Sequence, residues 1–157
     1  MLKYQGILSC SGYQNILLIL LFLINVTAFA KQPGNPDLIE INAPWIRAPA
    51  PFAHALGGFM LLKNLSDIPV TLVQAKAEGF DEVMIHKSIS ENGMHRMEYV
   101  ENIVIDPHKE LRFEHGSYHI MFMGLHRKIR PGDKVPVTLI FKKGLEKSVL
   151  FTVRKPD

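Results

Sequence analysis

The chain has 157 residues, 47% of them apolar and 21% charged, which suits an ordinary globular domain and argues against a disordered one. Its net charge of +3 comes from 18 basic and 15 acidic residues. They are mixed along the chain with no long basic run, so dedicated nucleic-acid binding has no support. One cysteine, Cys10, excludes an intrachain disulfide framework and a Cys-based zinc site.

In chain order, the first thirty residues read as a leader. Lys3 lies in a short polar start, and Ile16 to Val26 (ILLILLFLINV) is almost wholly apolar. As a helix that run would be roughly 16 Å long, about half a bilayer core. That fits the apolar core of a secretory signal better than a spanning helix. It ends in Ala28-Phe29-Ala30, an A-x-A pattern, so cleavage is expected after Ala30. Cys10 precedes the apolar run and would leave with the leader. The expected product is exported, lacks cysteine, and makes no stable membrane insertion.

Residues 31–37 (KQPGNPD) are a flexible lead-in, and 38–157 form the expected domain. From there the apolar pattern repeats near every second residue, between turn signals. Strands are expected at Leu38–Asn42, Leu56–Lys63, Pro69–Ala77, Glu82–Ile89 and Met94–Val100. Further strands are expected at Ile103–Ile105, Leu111–Phe113, Tyr118–Leu125, Val135–Lys142 and Ser148–Arg154. Pro44 to Pro51 holds three prolines around Trp45 and is expected to be an edge or a loop. Ser90-Glu91-Asn92-Gly93 is a hairpin turn, because Asn-Gly suits positive backbone angles. No segment keeps a 3.6-residue repeat. The expected fold class is all-β, an antiparallel Greek-key sandwich or barrel.

The chemistry gathers in a forty-residue window. It contains Met84, Met94, Met97, Met121 and Met123, and also His86, His95, His108, His115 and His119. Strand alternation puts Met84 with His86 on one face, His95 with Met97, and His119 with Met121 and Met123. The Asn-Gly turn brings two of these strands together. Thioether sulfur is a soft, neutral donor that suits Cu(I), and neutral imidazole adds affinity for either copper oxidation state. Such ligands also avoid the thiolates that an oxidising compartment would consume. His54, His108 and His126 have no Met neighbour at strand spacing and read as surface residues.

The spacing is specific. His86 is followed after ten residues by Met97, and after twenty-one more by His119-x-Met121. This resembles the H(M)x10Mx21HxM signature of the PCuAC family of periplasmic copper chaperones. The flanks APWIRAPAPFAHALGGFMLLKN, NGMHRMEYV and GSYHIMFMGLHRKIRPGDKVPVTLIF are similar too, so the resemblance spans about residues 38–154. It implies a cupredoxin-like fold and a Cu(I) site of His86, Met97, His119 and Met121. It also implies delivery to the binuclear copper centre of cytochrome oxidase, often beside a Sco-type thiol protein. His95 stands where many members have Met, and His115 departs from the usual Pro-Gly-Gly-Tyr-His run. Both are candidate auxiliary donors, as are Met84 and Met123, and Cu(II) is a second candidate ion. Trp45 and Arg47 match the family opening and read as structural, with Trp45 on the core and Arg47 paired with a carboxylate.

A mostly monomeric periplasmic carrier, not an enzyme, is the leading expectation. The absence of cysteine in the mature chain argues against a blue-copper site and against a CxxC redox pair. Neither Ser88 nor Ser117 lies in a G-x-S-x-G turn. General copper storage and a non-metal β-sandwich interaction module are the alternatives.

Overall fold

Apolar residues at every second position generate the strands. In a computed structural model, which describes residues 35–155, there are ten. They are β1 (Ile39–Arg47), β2 (Ala55–Asn64), β3 (Val70–Ala77), β4 (Phe80–Glu91) and β5 (Met94–Tyr99). There follow β6 (Ile103–Ile105), β7 (Glu110–Phe113), β8 (Tyr118–Leu125), β9 (Lys134–Phe141) and β10 (Glu146–Arg154). The described residues contain no α-helix, only short 3-10 turns at Pro36–Leu38 and Lys142–Gly144. The leader, Cys10 and most of the lead-in lie outside the described residues.

The strands hydrogen-bond in the order β5-β4-β8-β7-β2-β1-β10-β9-β3-β6, with β8 also pairing β2. The pairing is antiparallel except at β1–β10 and β7–β8, which are parallel. One face of this sheet forms the core. It takes Val135, Val137, Leu139 and Phe141 from β9, Phe151 and Val153 from β10, and Ile120 and Phe122 from β8. Leu56, Met60 and Leu62 of β2 join them, with Ile85 of β4. Gly58 is required by this packing, because a Cβ there would sit 2.5 Å from the buried Phe122 ring.

The Pro44–Pro51 segment differs from expectation. Pro44 to Arg47 belong to β1, which lies inside the sheet between β2 and β10. The register of β1 against β2 shifts between Asn42 and Trp45, and Ala43 has φ 48°. A bulge there accommodates Pro44, which has no N–H to give to a ladder. Only residues 48–54 form the loop. Ile46, not Trp45, enters the core; Trp45 is half-buried and stacks on Phe59 with ring centroids 4.7 Å apart. Arg47 is exposed and makes no ion pair among the described residues, so the expected carboxylate partner is not found.

Two local devices fix the frame. Asn92 and Gly93 take φ 51° and 78°, the positive angles that a tight β4–β5 hairpin needs. Asn64, fully buried, donates from Nδ2 to the carbonyls of Ile68, Ile105 and Asp106, and its Oδ1 accepts from Ser66 N–H and Oγ–H. It ties the end of β2 to the turn before β3 and to the end of β6.

Candidate metal site

β4 and β8 place the two central residues. Their register puts His86 directly opposite His119, and Met84 directly opposite Met121. Opposed residues in a sheet share a face, so all four point away from Ile85, Ile120 and Phe122. The next pair along puts Glu82 opposite Met123. On the other side of β4, β5 sets Tyr99 opposite His86, Met97 opposite Ser88 and His95 opposite Ser90. Met97 and Met121 are therefore diagonal neighbours of His86, a separation of roughly 7–8 Å that long side chains bridge.

The two imidazoles meet edge to face, with centroids 5.9 Å apart. His119 is buried at 5% exposure, while His86 is half-buried. The Nδ1–H of His119 donates to the Ser117 carbonyl at 3.1 Å, and that carbonyl also accepts the Ser88 N–H at 3.0 Å. This bond places the proton on Nδ1 and leaves the Nε2 lone pair free. Nε2 of His119 is buried without a hydrogen-bond partner, and so is Nδ1 of His86. Orphaned buried nitrogens are rare, and these two lie on facing rings, a donor pair whose chemistry fits one metal ion.

The dimensions suit a single ion. A metal–nitrogen bond of about 2.0 Å and a ring radius of about 1.1 Å allow centroids up to about 6.2 Å apart across one metal. The observed 5.9 Å falls within that limit. Burial holds the His86 imidazole below its ordinary pKa, repulsion from His119 adds to this, and Glu82 works in the opposite direction. The ring therefore stays neutral, the form that coordinates metal. Among the described residues no three His, Cys, Asp or Glu side chains group as a metal site. The donors around the two imidazoles are thioethers, which match soft ions.

The remaining candidates separate by position. Met97 is 62% exposed on the edge strand β5, whereas Met121 is half-buried. Met84 is half-buried beside Met121 and lines a cleft of about 710 Å³ between β3 and β4, together with Glu82 and Tyr99. Met123 is half-buried one pair farther along. His95 lies two cross-strand pairs from His86, and His115 is exposed in the turn before β8. Met94 is on the opposite face of β5. His54, His108 and His126 are exposed as expected; His108 bonds Asp67 and His126 bonds Asp81.

Sequence reasoning missed Tyr99, whose ring meets His86 at 6.3 Å, and the Ser117 carbonyl. Tyr99 was within reach, being two residues beyond Met97 in the same alternation. A backbone carbonyl leaves no such signal.

Residues 39–153 match the LpqE-like family, which is described as a lipoprotein family. Protein Lxx21020 of Leifsonia xyli subsp. xyli, a lipoprotein by name, is 26% identical over 133 residues, covering 83% of this chain and 79% of the relative. The copper-bound PCuAC domain of PmoF2 superposes with a TM-score of 0.64 at 24% identity, over 76% of this chain and 94% of that one. The Cu(I) form of DR1885 from Deinococcus radiodurans gives a TM-score of 0.60 at 28% identity, over 73% of this chain and 76% of that one.

Proposed function

We propose that the chain, which belongs to the LpqE-like family and has the fold of PCuAC domains, binds one Cu(I) ion and carries it to a copper-requiring acceptor. The observation that carries this reading is the pair of buried, unpartnered imidazole nitrogens on His86 and His119. Met121 and Met97 complete the ligand set from either side. The Cu(I) form of DR1885, at 28% identity, supports the choice of ion.

Copper is cargo, and the residues present divide the work of holding and releasing it. His119, fixed by its bond to the Ser117 carbonyl, is a rigid donor. His86 is neutral at ordinary pH and needs no proton removed before it binds. Met121 supplies a soft donor from the half-buried side, and Met97 supplies one from the solvent side. Met84, diagonal to His119, is placed to serve as a spare thioether, and Met123 follows one pair farther along. Neutral ligands leave the bound ion with its full positive charge, so a soft, anionic thiolate acceptor draws it away. The reading includes export with cleavage after Ala30, a periplasmic location, a mostly monomeric state and no catalytic activity. The acceptor is the binuclear copper centre of cytochrome oxidase or a Sco-type thiol protein.

The test is a Cu(I) competition titration against a chromogenic chelator, under reductant and without oxygen. One ion per chain, lost in His119→Ala, is the expected result. No competition at micromolar protein would remove the reading.

A further inference from the structure

The end of the molecule remote from the imidazole pair carries a different chemistry. From His119, β8 runs six residues to Leu125, roughly 20 Å at strand spacing. Past it stand Arg127, Lys128 and Arg130 along one groove, and Arg47 and Lys155 line an adjacent one that shares Arg130 and Ile129. All five are exposed, and none makes an ion pair among the described residues. Of the acids along this end, Asp81 bonds His126 and Asp133 accepts the Arg130 backbone N–H, while Glu78 is exposed beside Gly79; the five cations outnumber these three carboxylates.

The loop over these grooves contains the most exposed large apolar residue among the described residues. The Ala53 N–H closes a turn onto the Ala50 carbonyl at 3.1 Å, with Pro51 and Phe52 between. Phe52 has φ 65° and is 95% exposed. A Pro-led turn with a positive angle at its third residue ordinarily takes glycine there. An aromatic ring held in a disfavoured conformation and presented wholly to solvent neither packs nor eases the turn.

We propose that this basic pole, with Phe52 at its tip, docks the domain on an anionic lipid surface. Unpaired cations complement acidic headgroups, and an aromatic side chain among them enters the interfacial region, the combination that peripheral membrane binding uses. An acidic protein face would satisfy the cations, but it gives a lone projecting Phe52 no equivalent reason. Docked this way, the imidazole pair stands clear of the bilayer. The inference does not depend on the metal bound at that pair.

The test is co-flotation of the exported chain with vesicles of phosphatidylglycerol and phosphatidylcholine, and with phosphatidylcholine alone. The wild-type chain is compared with an Arg127→Glu/Lys128→Glu variant and with Phe52→Ala. With cleavage after Ala30, as export is proposed to proceed, the N-terminal apolar segment is absent from all three proteins and binding reads the domain alone. Binding to the anionic vesicles, weakened at least about tenfold by the double reversal and by high salt, is expected. Phe52→Ala is expected to lose several-fold on the same vesicles. A circular dichroism melt matching wild type shows that each variant is folded. Equal binding of wild type and double reversal, or capture by polyglutamate with no preference for anionic vesicles, would overturn the proposal.

Discussion

Replacing His119 by Leu separates a ligand from a structural residue. The side chain is buried, and leucine has a similar volume. The substitution removes one orphaned nitrogen, whose burial costs about 1–3 kcal/mol, and one hydrogen bond worth about 0.5–1.5 kcal/mol. The Ser117 carbonyl keeps the Ser88 N–H, so no new orphan is left behind. The balance for the metal-free protein runs from about neutral to ~2.5 kcal/mol more stable. Copper reverses the order. At a free Cu(I) level one hundred times the dissociation constant, binding adds about 2.7 kcal/mol to the wild type. For a domain of this size that is about 10 °C in Tm. Thermal unfolding followed by circular dichroism, anaerobically and with buffered Cu(I), reads both quantities. The variant should melt at or above the wild type without copper and gain nothing with it. A metal-free variant destabilised by more than about 3 kcal/mol, or one that keeps the copper shift, would refute the reasoning.

Met97→Ala and Met121→Ala should each weaken Cu(I) binding at least tenfold, about 1.4 kcal/mol, while Met94→Ala on the opposite face of β5 leaves it unchanged; chelator competition on the three proteins decides. The lowered pKa of His86 means that the unfolded chain takes up the proton first, at its ordinary value of 6.5. The contribution of this group to stability is therefore intact above pH 6.5 and is lost as pH falls below it, and Cu(I) affinity falls over the same range. Urea midpoints and competition titrations from pH 8 to pH 5 measure both; a flat affinity would argue against His86. Asn64→Ala leaves the buried Ile105 carbonyl without its side-chain donor and removes the bonds to the part-buried Ile68 and Asp106 carbonyls, and should cost about 2–3 kcal/mol, read as a lower urea midpoint with unaltered slope.

The strands were legible because the core face shows in the alternation. Ile103–Ile105 and Tyr118–Leu125 lie where the pattern puts them, and the Asn92-Gly93 turn falls where its angles require. Pro44 misled because proline was weighed as a strand breaker, while the bulge that absorbs it depends on β2, a strand still to come. The parallel pairing of β1 with β10 joins opposite ends of the domain, and no local window contains it. At the candidate site, alternation assigned each His and Met to a face, but not its distance along the ladder. That distance separates Met97, diagonal to His86, from His95, one pair beyond. The orphaned nitrogens depend on burial and on a backbone carbonyl, and neither is written in side-chain order.

The edge position of β5 bears on how quickly cargo could change hands. All six of its residues are exposed, and β4 is its sole neighbour in the sheet. With the ion seated as proposed, Met97 is the one donor an incoming group can displace without opening the core. Exchange would then be associative: the recipient's ligand enters on the β5 side before the imidazoles let go. Turnover would scale with recipient concentration, and a tightly held ion could still be passed on rapidly, because no free ion need ever form.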